Sequence, residues 1–469
     1  MELQVYNSLT KSKVPFRVEG KVIRWYTCGP TVYDHSHMGH ARNYVGFDIV
    51  RRILEEHFGY IVFQVMNSTD IDDKIINRAK EENVFFTEVT QKWEKAFLED
   101  MQSLGVKPPS ALTRVTEFIP EIIDYIANLI KKGMAYEANG SVYFDVKAYS
   151  EKHKYGKFVE PNESEEKHPD KRSQSDFALW KTSNSGAVWD SPWGMGRPGW
   201  HIECSVMATA ILGEKLDIHS GGIDLIYPHH ENEIAQCEAA FADSKQNWVN
   251  YFLHSGHLHI QGAKMSKSLK NFITIKDALK KYTARQLRML FVLHPYDKAL
   301  EYSSDSMDYA ISIDRIMETF LENLKMTLKT LKESKWDYNA HHLNNCFISL
   351  QEEVDEALRD NFDTKTVVLT LRDFIDHVNS YLEEEPKLYL IQVILDYYQK
   401  ILSMFGLKYS EAPSPERFDE AVDVLVKYRS AIRNVAKEIL SLSDQVRDKD
   451  LTEIGVKLID KGKESHWTS

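Results

Sequence analysis

Two apolar runs flank a helical pattern near the start of the chain, and this arrangement constrains the fold more than any other feature. The runs span residues 22–28 and 60–66. Between them, Val45, Ile49 and Ile53 recur with the 3.6-residue period of a helix that packs one face on a sheet. Because two strands joined by a helix usually pair in parallel, the pattern predicts a β-α-β unit of an α/β domain.

The rest of the chain divides by composition and periodicity. Residues 84–134 predict helices broken at Pro108 and Pro109, residues 141–146 alternate like a strand, and residues 147–172 form a polar stretch typical of an exposed loop. A helix is predicted to open at Pro228 and a strand at residues 248–253. Helical periodicity dominates from Thr274 onward. We therefore predict a sheet domain with an insertion over roughly residues 110–200, followed by an all-α bundle.

Composition excludes several classes of protein. With 469 residues, 43% of them hydrophobic and 27% charged, the chain resembles an ordinary soluble enzyme of about three domains. It contains no apolar run of about 18 residues, so no membrane span is expected. The N-terminal residues resemble no targeting leader, and the four cysteines form no CxxC pair. A reducing, cytoplasmic location is the expectation.

The charge distribution bears on possible nucleic-acid partners. The formal net charge is −12, and nearly all of it falls within residues 301–469. An acidic chain is not typical of a non-specific nucleic-acid binder, because that affinity depends on neutralising phosphates. Any nucleic-acid partner is therefore expected to meet local basic patches.

Two short segments have the chemistry of phosphate sites. His37, Gly39 and His40 stand at the start of the predicted helix, where backbone N–H groups and the helix dipole favour an anion. Lys264 and Lys267 flank Ser266 in a polar loop that could close on a polyphosphate. Taken alone, the first segment is better explained as a pair of surface histidines than as a phosphate site. The second is explained equally well as a solvated basic turn or as a phosphate site.

A third group has the residue types of a metal site. His229 and Glu233 are spaced i, i+4 on a predicted helix, and Cys28 and Cys204 are further candidate ligands. Cys237 lies one turn further along the same helix face and is a rival ligand. Since cysteines are often simply buried and His/Glu pairs are common on helices, the residue types alone favour a structural role.

One motif is a false match. Residues 194–199 fit the GxGxxG dinucleotide string, but that fingerprint needs a preceding strand and a following helix. This copy follows a tryptophan-rich segment and has prolines nearby, so we predict a glycine-rich loop.

The order of the two phosphate-type motifs resembles the paired signatures of class I aminoacyl-tRNA synthetases. The first reads HMGH where the family has HIGH, a volume-conserving change at Met38, and the second reads KMSKS. Further segments resemble the cysteinyl-tRNA synthetase family: TCGPTVYD at 27–34, STDIDDKI at 68–75, GRPGWHIECSVMA at 196–208, DIHSGGIDLIYPHHENEIAQ at 217–236 and KMSKSLKNF at 264–272. The resemblance runs from Tyr6 to Thr364 and continues more weakly to the end.

This resemblance implies a fold and a domain layout. It implies an α/β class, with a split Rossmann-like parallel-sheet catalytic domain, a connective insertion and an all-α C-terminal helical bundle. The catalytic domain is expected at residues 1–110 and 200–260, and the insertion at 111–199. A stem-contact segment carrying KMSKS is expected at 261–310, and a helical tRNA-binding domain at 311–469.

The resemblance also implies the site residues and partners. The family's zinc ligands map onto Cys28, Cys204, His229 and Glu233, with no role for Cys237. Catalytic and ATP-binding positions would be His37, Gly39, His40, Lys264, Ser266 and Lys267, with Mg²⁺ bound to ATP. Gly29, Thr69, Trp200, His219 and Asp224 would surround the substrate amino acid. The implied partners are ATP, L-cysteine and tRNA(Cys), the tRNA meeting basic residues such as Arg429, Arg433, Lys437 and Arg447.

Two other functions remain open from the sequence. A ligase could form the same cysteinyl-adenylate and pass the cysteinyl group to a small amine, but such ligases lack much of the C-terminal region that this chain retains. A non-catalytic RNA-binding paralogue is the second alternative. Intact motifs and all four ligand positions argue against it.

Overall fold

The computed structural model describes residues 1–160, 169–184, 186–241, 247–260, 262–264, 272–332, 334–409, 426–427, 445–461 and 464–468. The chain forms two compact units. The first unit comprises Met1–Met307 and Glu356–Lys365, and the second comprises Asp308–Asp355 and Thr366–Ser469.

The predicted β-α-β unit follows an N-terminal hairpin. The elements are β1 (Gln4–Asn7), β2 (Ser12–Pro15), β3 (Val22–Thr27), α1 (Met38–Glu56) and β4 (Ile61–Ser68). Strands β3 and β4 pair in parallel. Val45, Ile49 and Ile53 are buried along one side of α1, as their spacing predicts. The prediction for this segment is confirmed.

The segment predicted as broken helices also contains a strand. The elements are α2 (Asp73–Glu82), α3 (Phe86–Ser103), β5 (Ala111–Arg114) and α4 (Ile119–Lys131). Strand β5 comes after the two prolines and pairs in parallel with β4. The sequence Ala-Leu-Thr-Arg shows no clear alternation of polar and apolar residues, and the pairing with β4 decides that it forms a strand. The central sheet thus extends past residue 110, the predicted domain boundary.

A four-stranded antiparallel sheet follows within the predicted insertion. The elements are β6 (Ala135–Ala138), β7 (Ser141–Phe144), α5 (Val146–Ser150), β8 (Phe177–Thr182) and β9 (Gly196–Pro198). The strand predicted at 141–146 is β7, whereas α5 occupies the start of the predicted loop.

The GxGxxG string forms part of this sheet. Residues Gly196–Pro198 of the string form β9, so the prediction of a loop over residues 194–199 is wrong for these three residues. A Cβ atom on Gly196 would overlap the Trp180 side chain, and one on Gly199 would overlap the Ala178 carbonyl. These glycines therefore allow close strand packing, and they open no dinucleotide-binding turn.

The chain then returns to the central sheet. The elements are α6 (Trp200–Leu212), β10 (Leu216–Gly222), α7 (Glu231–Ala240) and β11 (Val249–Ser255). The sheet has the order β11-β10-β3-β4-β5 and all its pairings are parallel. The helix predicted to open at Pro228 becomes regular only at Glu231, because an irregular turn, Ile226–His230, precedes it. The predicted strand at 248–253 is β11.

A small sheet and two helices complete the described part of the first unit. The elements are β12 (Leu258–Ile260), β13 (Ala263–Lys264), α8 (Ile275–Leu279), α9 (Ala284–Val292) and β14 (Leu300–Glu301). The side chain of Thr274 accepts a hydrogen bond from the Asp277 N–H and caps α8. Helical structure thus begins where periodicity predicts it.

Four long helices dominate the described part of the C-terminal region. The elements are α10 (Ser304–Thr330), α11 (Tyr338–Arg359), α12 (Thr364–Leu382), α13 (Leu388–Met404), the short α14 (Leu451–Glu453), β15 (Lys457–Lys461) and β16 (Glu464–Thr468). The antiparallel hairpin of β15 and β16 corrects the prediction that residues 311–469 are all-α. The pairing of these two strands with each other decides this structure.

Two further findings concern sequence predictions. Arg429, Arg433 and Lys437 lie outside the described residues, whereas Arg447 is described. Among the described helices, none combines the length and the apolar character that crossing a membrane would require.

Candidate active site and metal centre

A cleft of about 590 Å³ lies at the carboxyl ends of the central strands. Gly29 follows β3, Thr69 follows β4, Asp224 follows β10 and His257 follows β11, and all four line the cleft. The strand order reverses between β3 and β10. Since open parallel sheets bind ligands at this edge and at this reversal, the cleft is the candidate active site.

The four predicted metal ligands lie close together, and Cys28, Cys204 and His229 also line the cleft. Cys28, Cys204, His229 and Glu233 are buried, and one ligand atom of each lies within 4.8 Å of the others. Cys28 Sγ is 3.8 Å from Cys204 Sγ and 3.7 Å from His229 Nε2. A tetrahedral ion with Zn–S bonds of about 2.3 Å separates two sulfurs by about 3.8 Å. The donor types and the spacing therefore fit zinc.

The protonation states in this cluster bear on how it could hold a metal ion. Burial raises the pKa of the Glu233 carboxyl, but His219 and His229 outweigh burial, and the net pKa lies well below the usual value. Burial raises the pKa of the Cys28 thiol, whereas the hydrogen bond from Cys28 lowers the pKa of Cys204 to about 6. A carboxylate and a thiolate thus stand side by side, as metal ligation requires. Burial lowers the pKa of His229, but Glu233 and Cys204 outweigh burial and raise it to about 10, so a metal ion would displace a proton from this ligand.

Two neighbouring histidines extend the cluster. His219 and His230, with Cys28 and Glu233, form a second group whose ligand atoms lie within 4.8 Å of one another. Nε2 of His219 lies 2.5 Å from Glu233 Oε2. His219, which is predicted beside the substrate amino acid, is fully buried and is not among the residues that line the cleft. Its position suits a residue that orients a metal ligand.

Cys237, the rival ligand, belongs to neither group. Its Sγ lies 3.5 Å from the Tyr125 hydroxyl, which donates to it. Burial raises the pKa of the Cys237 thiol. It is therefore a protonated core residue.

The other predicted substrate residues line the cleft. Gly29, Thr69, Trp200 and Asp224 all contribute to its wall. The Trp200 ring stacks on the His229 ring with centroids 4.4 Å apart, and Asp224 Oδ1 lies 3.4 Å from His257 Nε2. The structure thus brings these four residues to the same cleft that Cys28, Cys204 and His229 line.

Asn67 is a cleft residue that the sequence analysis missed. Its Oδ1 accepts a hydrogen bond from the Gly29 N–H at 2.8 Å, and its Nδ2 donates to Thr69 Oγ1 at 3.0 Å. Cys204 Sγ lies 3.8 Å from the same Oδ1. The position of Asn67 near the end of a predicted parallel strand was the available signal, because functional residues gather at that edge.

The predicted phosphate motif HMGH opens α1. The His40 N–H donates to His37 Nδ1 and the His37 N–H donates to His40 Nδ1, both at 3.3 Å, so each histidine caps the other. Their rings stack with centroids 3.8 Å apart. His37, Gly39 and His40 all line the cleft beside the positive end of the helix dipole.

The KMSKS segment is described only at its edges. Lys264 belongs to β13 by its backbone, whereas Ser266 and Lys267 lie outside the described residues. Downstream of the motif, the Met38 N–H donates to the Ile273 carbonyl at 2.9 Å, and the Ile275 N–H donates to the Ser36 carbonyl at 3.1 Å. The chain leaving KMSKS is therefore joined to the start of α1.

Sequence comparisons identify relatives over nearly the whole chain. Residues 15–312 match a family model described as the catalytic domain of class I (C) tRNA synthetases. A Dictyostelium discoideum protein named cytoplasmic cysteine–tRNA ligase is 47% identical, covering 98% of this chain and 76% of the relative. The proteins of that name from Xenopus tropicalis and Homo sapiens are each 37% identical, covering 98% of this chain and 81% of theirs.

Solved structures show the same fold at low sequence identity. Mycobacterium tuberculosis methionyl-tRNA synthetase in complex with methionyl-adenylate superposes with a TM-score of 0.64 at 14% identity, covering 87% of this chain and 94% of its own. A leucyl-tRNA synthetase of Agrobacterium radiobacter K84 superposes with a TM-score of 0.62 at 10% identity, covering 83% of this chain and 84% of its own. The predicted fold class is confirmed. The chain belongs to the cysteine–tRNA ligase family of the class I tRNA synthetases, ligases that form aminoacyl-tRNA.

Proposed function

We propose that the chain activates L-cysteine with ATP to cysteinyl-adenylate and transfers the cysteinyl group to the 3′-terminal ribose of tRNA(Cys). One observation carries this proposal. The same cleft is lined by a stacked histidine pair and by two cysteine sulfurs 3.8 Å apart. The first suits a nucleotide phosphate and the second suits a substrate recognised through sulfur.

In the first step, a carboxylate oxygen of cysteine attacks the α-phosphorus of ATP, and pyrophosphate leaves. His37 and His40 would donate hydrogen bonds to the phosphate oxygens as negative charge develops on them. Lys264, Ser266 and Lys267 would hold the β- and γ-phosphates, with Mg²⁺ accompanying ATP. The residues act by position and charge, and none forms a covalent intermediate.

In the second step, the terminal ribose hydroxyl of the tRNA attacks the cysteinyl carbonyl. The bond between the carbonyl carbon and the phosphate oxygen breaks, and AMP leaves with its electron pair and takes up the hydroxyl proton. Gly29, Thr69 and Trp200 would hold the amino acid in place, and Asp224 would pair with its ammonium group. Gly29 cannot carry a side chain, because a Cβ would overlap the Asn67 carbonyl. Glycine at this position therefore lets the segment after β3 pack against the backbone at the end of β4.

Selection against serine requires more than the shape of the pocket. The shape of a pocket alone separates two amino acids as similar as cysteine and serine by only about 10- to 200-fold. A zinc ion held by Cys28, Cys204, His229 and Glu233 would supply a soft Lewis acid that binds the substrate thiolate and leaves an alcohol unbound. The stacking of Trp200 on His229 would then bring the amino-acid pocket against these ligands.

We also infer a cytoplasmic location for the chain. The relatives from Dictyostelium and Xenopus are named cytoplasmic enzymes, and they support this inference.

The test is charging of labelled cysteine onto total tRNA, with serine as competitor, using enzyme as purified and enzyme after zinc removal. We expect charging that excludes serine and is lost with the metal. Cysteine-dependent pyrophosphate release without charged tRNA would indicate a ligase that uses a small amine. Absence of any adenylate would indicate a non-catalytic RNA-binding protein.

A further inference from the structure

One lysine in the cleft wall has no role in the reaction described so far. Lys74 lines the cleft and is exposed to solvent. Among the described residues of the cleft wall, it is the sole lysine or arginine. A lysine in the wall of a site for anionic substrates calls for a ligand of opposite charge.

An aromatic ring holds this ammonium group. Nζ of Lys74 lies 5.5 Å from the centroid of the Tyr33 ring, within the range of a cation–π contact. Tyr33 also lines the cleft and packs on a buried cluster that includes Val32, Ile75 and Trp93. The ring is therefore anchored in the core, and it restricts a side chain that would otherwise sample many rotamers.

The backbone around this pair is tied to the loop that carries Thr69. The Val32 N–H donates to the Thr69 carbonyl at 3.2 Å. Lys74 lies in the first turn of α2, where its N–H donates to Asp72 Oδ1 at 2.8 Å. Both members of the pair thus extend from segments that are fixed beside a predicted substrate residue.

Nearby carboxylates have other partners. Asp72 caps α2 through its side chain, and Asp73 forms ion pairs with Arg197 and, at 3.5 Å, with Lys181. Asp73 is therefore paired without the Lys74 ammonium group, and Asp72 is engaged with the backbone at the start of α2. The aspartate Asp34 also lines the cleft and has contacts of its own.

We propose that Lys74 binds a phosphodiester of the unpaired 3′ end of the tRNA, and that Tyr33 is a positioning residue for its ammonium group. The inference rests on the proposed function. The tRNA is the one substrate of that reaction that stays partly outside the cleft, so its backbone must cross the mouth. Lysine contacts to phosphates are the usual source of affinity for single-stranded nucleic acid.

The alternative ligand for Lys74 is a phosphate of ATP. The groups assigned to ATP, His37 and His40, lie at the start of α1, whereas Lys74 extends from α2 after β4. Separating the two partial reactions distinguishes the ligands, because adenylate formation needs no tRNA.

The test compares Lys74→Met with Lys92→Met. Lys92 is a matched control, because its Nζ lies 4.8 Å from the Trp93 ring and the residue does not line the cleft. For Lys74→Met we expect ATP–pyrophosphate exchange within about twofold of wild type and a KM for tRNA raised about tenfold, the effect of losing roughly one phosphate contact. The slope of log K against log salt for tRNA binding should fall by about 0.7.

Further variants and outcomes make the test decisive. Lys74→Arg should restore the KM for tRNA and the salt slope, since it restores the charge, and Lys92→Met should match wild type throughout. An equal loss of exchange and transfer by Lys74→Met would assign the lysine to ATP and overturn the proposal. An unchanged slope of log K against log salt in this variant would also overturn the proposal. Failure of the wild-type chain to charge any tRNA is a separate result, which would refute the proposed function itself.

Discussion

His37 and His40 cap each other's backbone at the start of α1. Each Nδ1 accepts the backbone N–H of the other residue at 3.3 Å, and the rings stack 3.8 Å apart. Because each Nδ1 is an acceptor, the hydrogen of each neutral imidazole lies on Nε2. The pair thus sets its own tautomers, and Nε2 is the atom that can donate to a phosphate oxygen.

This relationship separates the structural role of His37 from its catalytic role. Asparagine is a good helix N-cap, so His37→Asn should keep the thermal stability of the wild type while adenylate formation falls at least about 100-fold, through loss of the Nε2–H donor. His37→Ala should lose the same activity and a further 1 kcal/mol or so of stability. ATP–pyrophosphate exchange and thermal unfolding measure the two effects. Full activity in His37→Asn would remove His37 from the phosphate site.

The second phosphate motif is expected to act on the transition state. Lys267→Ala should slow adenylate formation at least about tenfold and leave cysteine affinity almost unchanged, because the lysine would neutralise charge only on the phosphates. Single-turnover kinetics at saturating ATP would measure this. Unchanged rates would contradict the assigned role of Lys267.

The candidate zinc site can be tested with two cysteines. Cys204→Ser should lose zinc and cysteine activation together, since an alcohol is a poor ligand at neutral pH. Cys237→Ala is the matched control, because Cys237 is buried beside Tyr125 and belongs to neither ligand group. Elemental analysis of the purified proteins gives the zinc content. Tight zinc and full activity in Cys204→Ser would refute the assignment.

Asn67 should contribute to binding of the amino acid. Asn67→Ala removes the hydrogen bonds to the Gly29 N–H and Thr69 Oγ1, each of which contributes about 1 kcal/mol. We therefore expect the KM for cysteine to rise about 10- to 30-fold, corresponding to about 2 kcal/mol, with a nearly unchanged KM for ATP. Equal effects on both substrates would indicate a general collapse of the cleft instead.

A buried ion pair links the signature helix α1 to α9. Asp48 accepts hydrogen bonds from Arg52 at 2.8 Å, from Arg288 at 2.5 Å and from the Lys107 N–H at 2.8 Å. Burial raises the pKa of the Asp48 carboxyl, but Arg288 and Arg52 outweigh burial, and the net pKa lies below the usual value. Asp48 therefore stabilises the fold above its unfolded pKa of about 3.9, and this stabilisation is lost as pH falls through the folded pKa.

Replacement of Asp48 should reveal this contribution. Asp48→Asn leaves two buried guanidinium groups without their carboxylate and should lower the free energy of unfolding by about 3–5 kcal/mol at neutral pH. Between pH 5 and the acid transition, its stability should depend less on pH than that of the wild type. Urea unfolding over this range measures both effects. Asp277→Asn is the control, because Asp277 is an exposed partner of Lys280 and should change stability little. Equal pH dependence of wild type and Asp48→Asn would contradict the assignment.

Local features of the fold follow from the sequence. The period of Val45, Ile49 and Ile53 predicted α1, and Thr274 marks the start of α8. These predictions succeed because periodicity and capping involve residues within a turn or two of each other. Motif order and residue types likewise indicated the family, which the comparisons confirm.

Tertiary structure decided which of these residues meet. Cys28 and Cys204 are 176 positions apart in sequence and 3.8 Å apart in space, because β10 pairs with β3 and α6 leads into β10. The same packing places His219 beside Glu233, and strand pairing makes Ala111–Arg114 part of the sheet. Sequence alone therefore determined the local elements and the available ligand types, whereas long-range strand pairing, which depends on a partner segment absent from any local window, determined the geometry of the site.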